Sequence, residues 1–452
     1  VSVSPARSAA LEALSRIRQR DAWARDAIES VLAARELNDQ EERLARRLTL
    51  GTAAMQGTLD EAIDGVVSKP RSLEPAVRDA LRIAVYEILF MRTPARAAVH
   101  QGVEAVKHVR KHAAGLANAS LRRIAEKADE FPWGDPTQDD GALARATGHP
   151  EWLVALLVRD LGRDAAQGML EANNGLAPLA GMVNTYLMDV DEVTLALREE
   201  GCKPMTVSTP GAITMGDASS AVHSTALRKG HFVVSDRGAH VAPIVAAPQP
   251  GMLIADLAAG RGTKTALLQI LAHAAGGAAK VVATDLHEYK TRVCRERMDE
   301  LNIPGVQVAV ADSMNRESLG AVLAPGSCDV VLLDVPCSGL GTLRRHPEKR
   351  WRLLPEHIEN MAGMGSAMLE ASAPLVRPGG CVVYSTCTVT RQENQDVVDA
   401  FLAAHEGAFA QGDIRARVPA DLQKFVTGEG WFQSIPEEGG PDGHFVALLT
   451  RE

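Results

Sequence analysis

Two cysteines stand where chemistry could be done. Cys337 lies in "LLDVPCSGLGTLRRHPEKRW" (332–351), three residues after Asp334 and shortly before Arg344, Arg345 and Arg350. Cys387 lies in "VVYSTCTVTRQENQDVV" further along. Each follows an apolar run that reads as a strand, so each is expected at a strand end rather than within a core. Such a thiol can be a nucleophile, a metal ligand or ordinary packing. No His or Cys spacing supplies the remaining ligands of a metal set, so no metal is expected. Cys202, Cys294, Cys328 and Cys381 read as small buried hydrophobes.

A second constellation is "DLAAGRGTKT" (256–265), which follows a strand and opens a helix. Its residues Ala258, Ala259, Gly260, Arg261, Gly262, Thr263 and Lys264 make a turn in which glycine permits close backbone approach. It is not a P-loop, because Thr263 rather than Gly precedes Lys264, and it lacks the third glycine of the dinucleotide fingerprint. Asp285 ends the next strand, roughly 20 residues on, the offset at which an acid accepts ribose hydroxyls. Asp312 ends the one after, where a carboxylate could take an adenine amino group. A glycine turn or a solvated strand-end acid explains each feature alone. In series they point to an adenosyl cofactor, and S-adenosylmethionine fits better than a dinucleotide. A thiol beside that cofactor suggests covalent pyrimidine methylation. The thiolate adds to carbon 6 and makes carbon 5 a nucleophile, while Asp334 holds the base edge.

The elements that must position these groups are regular from Gly251 onward. "MLIADLAA", "KVVATDL", "VQVAVAD", "CDVVLLDVP", "CVVYSTC" and "FVALLT" read as strands, with helical stretches between several of them. Alternation of this kind implies a parallel, doubly wound sheet with its ligand beyond the carboxyl ends of the strands. Asp256, Asp285, Asp312, Asp334 and Cys387 all fall at those ends. Residues 5 to about 128 show apolar positions at three- and four-residue spacing and read as helix throughout, punctuated by Pro70, Pro75 and Pro94. The linker "EFPWGDPTQDDG" (130–141) precedes a stretch of mixed helix and strand. The expected domains are thus a helical bundle over 1–130, a small α/β module over 142–245 and an α/β domain over 246–452.

The chain has 452 residues and a net charge of −9, which at first argues against nucleic acid. The charge is uneven, however. Residues 1–130 hold 21 Lys and Arg against 18 Asp and Glu, and the remainder 27 against 39. Local basic faces steer polyanions. Two candidates are 336–352, which contains Arg344, Arg345 and Arg350, and "VKHVRKHAAGLANASLRR" (106–123), which has no acid. Scattered single cysteines and the lack of a leader or a long apolar run suggest a cytoplasmic protein with no membrane association.

The paired segments "LLDVPCSGLGTLRRHPEKRW" and "VVYSTCTVTRQENQDVV" resemble those of RNA cytosine-5 methyltransferases of the NOL/NOP/Sun family. The helical block, with "VRDALRIAVYEILF", "AVHQGVEAVKHV" and "LANASLRRI", resembles the RNA-binding NusB domain. The three parts together resemble the bacterial RsmB/Fmu type. This implies a multidomain protein: a NusB-like bundle, a small linker module and a Rossmann-like methyltransferase domain, acting as a monomer on small-subunit ribosomal RNA. It implies Cys387 as nucleophile, Cys337 as the thiol that assists breakdown of the adduct, and Asp334 facing methyl group and cytosine. Residues 258–264, Asp285 and Asp312 would bind S-adenosylmethionine. Departures from the family pattern are Ala258, Gly260, Arg261 and Thr263 in the first turn, Lys290, Met182 and Arg391. They leave open a non-catalytic RNA-binding assembly factor with a degenerate cofactor site, or a methyltransferase acting on another RNA. A DNA methyltransferase using Cys337 is a further alternative, opposed by the Thr-Cys segment and the NusB-like block.

Overall fold

The computed structural model describes all residues except 1–2, 21, 92, 217–220 and 222. The chain divides into two compact units, one of residues 1–175 with 343–353, the other of 176–342 with 354–452. Among the described residues, no helix is long and apolar enough to cross a membrane.

The first unit is helical: α1 (Pro5–Arg20), α2 (Ala24–Leu32), α3 (Asp39–Ala54), α4 (Gln56–Asp64), α5 (Pro75–Leu89), α6 (Ala95–Val109) and α7 (Ala114–Glu126). Pro75 occupies the first turn of α5 and Pro94 precedes α6, as prolines do where a helix begins. Asn38 and Glu41 form a capping box at the start of α3. The apolar spacing of these helices meets in one core that includes Leu48, Leu59, Ile63, Leu81, Ile83, Val106 and Leu121. Each such side chain contributes about 1.5–3 kcal/mol when buried.

Three further helices, α8 (Asp140–Thr147), α9 (Glu151–Leu161) and α10 (Arg163–Ala172), also belong to this unit. Residues 142–175 were expected in the small module. In the structure they group with the first unit, where the Thr58 hydroxyl donates to the Arg145 carbonyl at 3.2 Å.

The second unit begins with a four-stranded antiparallel sheet in the order β2-β3-β1-β4. Its strands are β1 (Leu179–Val183), β2 (Pro204–Thr206), β3 (Ala212–Met215) and β4 (Phe232–Val234), and α11 (Val190–Glu199) packs with them. Then α12 (Arg237–Ala246) leads to the large sheet. Its strands are β5 (Leu253–Leu257), β6 (Lys280–Asp285), β7 (Val306–Val310), β8 (Cys328–Asp334), β9 (Val376–Thr386), β10 (Phe409–Gln411), β11 (Phe432–Gln433) and β12 (Phe445–Arg451). The order is β10-β12-β9-β8-β5-β6-β7, with β11 beside β12.

The expectation of a parallel sheet holds for β5 to β9 only. β12 inserts antiparallel between β9 and β10, and the whole sheet is mixed. The strand order reverses between β5 and β8, both of which continue into the candidate site. That is the switch point at which an open α/β sheet leaves a crevice beyond its carboxyl ends.

Candidate active site

The residues expected to do chemistry come together at that switch point. Asp334 is the last residue of β8, in register with Ser385 on β9, and Cys387 follows β9 directly. The turns after the two strands bring Cys337 Sγ to 3.3 Å from Cys387 Sγ. The Cys387 backbone N–H points to Cys337 Sγ at the same distance, and the Cys387 carbonyl accepts from Gly341 N–H at 3.1 Å. Both thiols are half-buried. The hydrogen bond to Cys387, burial, and the charges at Cys387 and Glu393 push the Cys337 thiol well above its ordinary range. A thiol held protonated beside a second sulfur is a donor that can stabilise the second as a thiolate.

Lys264, in the first turn of α13 (Thr263–Ala274), donates to Asp334 Oδ2 at 2.7 Å. Burial opposes the Lys264 charge, but Asp334 outweighs it through charge and hydrogen bond, so the pKa of the ammonium is raised. Beneath this pair, Asp256 is fully buried. Desolvation pushes its carboxyl up to about 7, and its Oδ2 accepts from the Thr265 hydroxyl at 2.6 Å.

The turn over 258–264 has three residues in the left-handed region, Ala258, Gly260 and Gly262. At Gly262 (φ 79°) a Cβ would lie 2.6 Å from Cys294 Sγ, so glycine is required there twice over. Ala259 N–H donates to the Thr284 carbonyl and Gly260 N–H to Asp285 Oδ2. Asp285 also accepts from His287 N–H and lies 3.5 Å from Lys290 Nζ. Asp312 sits two residues beyond β7 and accepts from Met314 N–H at 2.9 Å. Leu286 and Met314, next to these acids, are 54% and 41% exposed. Apolar surface left open beside strand-end carboxylates is what an adenosyl group needs, so these residues fit that cofactor. The altered first turn is supported by a bond of its own, for Arg297 donates to the Thr263 hydroxyl at 2.7 Å. Arg261 is exposed and points no bulk into the buried side of the turn.

Other expected residues take different roles. Arg350 was expected to contact RNA, yet it is 0% exposed. Its guanidinium donates to the carbonyls of Thr147, Gly148 and Asn173 and to Asn174 Oδ1. It joins α8 to α10 inside the helical unit, which corrects the expectation. Arg344, 5% exposed, is likewise no surface clamp, while Arg345 is half-buried. Met182 is buried against Ala266, Leu267 and Ile270 of α13, an apolar contact where a charge could not sit. Arg391 is exposed and pairs with Asp396 at 2.9 Å.

Sequence reasoning passed over Glu393. This buried carboxylate accepts from Ser338, the neighbour of Cys337, and from Thr388, the neighbour of Cys387. The only sequence signal was an acid in the polar run that follows the Thr-Cys pair. His444, buried with its Nε2 3.6 Å from Asp236 Oδ1, was also missed.

Three family models match successive parts of the chain. That of the 16S rRNA methyltransferase RsmB/F matches residues 243–450, that of the NusB family residues 4–126, and that of a ferredoxin-like domain found in RsmF/B-like methyltransferases residues 149–221. A Mycobacterium tuberculosis protein named as a methyltransferase is 31% identical over 99% of this chain and 97% of its own. The ribosomal RNA small subunit methyltransferase B of Vibrio cholerae is 28% identical over 93% of this chain and 92% of its own. Among solved structures, PH0851 aligns with a TM-score of 0.77 at 25% identity, covering 99% of both chains. NSun6 from Pyrococcus horikoshii shares the fold at a TM-score of 0.56 and 18% identity, over 67% of this chain and 98% of that one.

Proposed function

The chain belongs to the 16S rRNA methyltransferase RsmB/F family, and from that premise we propose that it methylates carbon 5 of a cytosine in small-subunit ribosomal RNA, using S-adenosylmethionine and a covalent Cys387 adduct. The observation that carries this reading is the pair of sulfurs 3.3 Å apart beside the Lys264–Asp334 pair. An RNA-binding factor without chemistry has no use for two apposed thiols at a cofactor crevice.

Bound in the turn of residues 258–264 against Asp285 and Asp312, S-adenosylmethionine supplies an electrophilic methyl group. The protein's own groups do the rest. Cys387 sulfur bonds to carbon 6, and the electron pair of the 5,6 double bond becomes available at carbon 5. Asp334, held by Lys264, orients the edge of the base during this addition. After methylation, carbon 5 loses its proton to a base. The double bond re-forms, and the bond from carbon 6 to sulfur breaks. Cys337 donates its S–H to the departing Cys387 thiolate, which makes it the better leaving group.

Phosphate contacts fall to other cations than Arg350. Lys107, Arg110, Lys111, Arg122 and Arg123 are all exposed on the helical unit, and Arg345 lies nearer the thiols in sequence. Lys and Arg at a surface bind RNA by neutralising phosphates. A base that must react is reached unstacked or flipped.

Incubation with small-subunit RNA or with 30S particles, followed by bisulfite mapping, tests the reaction and locates the cytosine. With 5-fluorocytosine RNA the wild type is expected to trap an adduct. Cys387→Ala should form none, and Cys337→Ala on ordinary RNA should accumulate one. An adduct that survives Cys387→Ala and is lost in Cys337→Ala would reverse the two roles.

A further inference from the structure

Glu393 lies just ahead of α14 (Gln395–Ala404) and is 1% exposed. Its Oε1 accepts from the Ser338 backbone N–H at 2.6 Å. Its Oε2 accepts from the hydroxyls of Ser338 at 2.7 Å, Thr388 at 3.2 Å and Thr390 at 2.7 Å. The hydroxyl oxygens of Ser338 and Thr388 also lie 2.7 Å apart, side by side on that carboxylate oxygen. These two residues directly follow Cys337 and Cys387. We propose that Glu393 is a positioning residue for the two thiols: one buried carboxylate fastens the turn that carries Cys337 to the turn that carries Cys387. The inference rests on the two-thiol reading above and extends it to a buried residue that adjoins neither thiol in sequence.

The carboxylate is itself immobilised. The Tyr384 hydroxyl, buried on β9, donates to the Glu393 carbonyl at 2.7 Å. The next residue, Asn394, accepts from the Thr386 hydroxyl at 2.7 Å and donates to the Thr388 carbonyl at 3.1 Å. The clamp is therefore built on the end of β9, the strand that delivers Cys387. Burying a carboxylate is costly unless donors surround it, and here four donors do. They come from both thiol turns, so neither turn can move without breaking a charged hydrogen bond. A misplacement of about 1 Å at reacting atoms can lower a rate on the order of 100-fold. The same charge also raises the proton affinity of Cys337, behind the contributions of the Cys387 hydrogen bond, burial and the Cys387 charge. Geometry and charge thus act together: they hold the sulfurs in contact and favour the protonated form of the second.

The test compares wild type with Glu393→Gln and Glu393→Asp in the full chain. One measurement is methylation of small-subunit RNA, with kcat separated from KM and with S-adenosylmethionine affinity read by calorimetry. The other is iodoacetamide alkylation of Cys337 against pH, read by peptide mass spectrometry without RNA or cofactor. Glu393→Gln should lower kcat by about 100-fold while both affinities stay within about two-fold. Its Cys337 alkylation midpoint should fall by about one pH unit, as expected on loss of a nearby charge. Glu393→Asp, which keeps the charge, should restore the midpoint and part of kcat. A wild-type kcat in Glu393→Gln overturns the proposal. So does a loss of both affinities together with kcat, which marks a role in the fold alone. Should the wild type trap no adduct on 5-fluorocytosine RNA, the two-thiol reaction fails, whereas the alkylation midpoints still report on the clamp.

Discussion

Lys264 Nζ stands 2.7 Å from Asp334 Oδ2 and ties the turn after β5 to the end of β8. These are the neighbouring strands at which the sheet order reverses. The pair therefore spans the crevice where the turn over 258–264 and the thiol turns meet. With side chains 13% and 31% exposed, it is sheltered enough for the charges to matter and open enough for Asp334 to face a substrate.

Asp334→Asn is expected to abolish methylation while S-adenosylmethionine still binds. It removes the acceptor that holds Lys264 and leaves a sheltered ammonium without its counter-charge, a change that costs on the order of 3 kcal/mol when the partner stays buried. Thermal unfolding should show a lower Tm for Asp334→Asn than for the double variant Asp334→Asn with Lys264→Met. An equal or higher Tm for the single variant would show that the pair does not act as one.

Arg350→Ala should destabilise the protein by roughly 3 kcal/mol, since it takes the guanidinium donor from the buried carbonyls of Gly148 and Asn173 and from Asn174 Oδ1, while the Thr147 carbonyl keeps the Asn174 side-chain N–H. Its midpoint in urea should fall sharply, and the salt dependence of RNA binding should not change. A Lys111→Ala variant is expected to do the opposite, with unchanged stability and a shallower salt slope. A shallower salt slope in Arg350→Ala would return that residue to the RNA surface.

The difference between these two cations shows where sequence reading stops. The strands β5 to β9 were legible because apolar runs bounded by Gly and Asp repeat between helical stretches, and the acids and thiols fall at their ends. Direction was not legible. "FVALLT" reads the same whether its strand runs parallel or antiparallel, and only pairing with β9 makes it antiparallel. Arg350 sits in a basic run that reads as surface, and its burial is set by carbonyls of residues 147–173, far away in sequence. Glu393 was hidden for the same reason. Its meaning depends on two turns that come together only in the fold.

Gly262→Ala is expected to weaken the cofactor turn. A Cβ at φ 79° costs about 1–2 kcal/mol in backbone strain. It also meets Cys294 Sγ at 2.6 Å and the Met298 methyl at 3.2 Å. Adding Cys294→Ala removes the sulfur and should recover part of the loss, but not the strain. The check is the thermal shift produced by S-adenosylmethionine in the three proteins. No recovery in the double variant would mean that the contact with Cys294 is not what forbids a side chain.

Two buried groups should give opposite pH dependences in the same acid range. Burial pushes Asp256 up to about 7, so between about pH 4 and 7 the folded state holds a proton that the unfolded chain has released. Its contribution to stability therefore falls as pH rises through that window. His240, bonded through Nε2 to the Ser235 hydroxyl, is pushed down to about 3 by burial and by Arg237, His444 and Lys264. Between about pH 3 and 6.5 the unfolded chain binds the proton that folded His240 refuses, so this contribution is lost as pH falls. Each slope is at most about 1.4 kcal/mol per pH unit, and around pH 5 the two largely offset each other. Asp256→Asn removes the falling limb, so its stability relative to wild type should climb from pH 5 to pH 7. His240→Gln removes the other limb, so its relative stability should climb as pH drops from 6.5 to 5. Urea denaturation at half-unit pH steps reads both. Parallel curves for wild type and Asp256→Asn would show that Asp256 is ionised in the folded protein throughout this range.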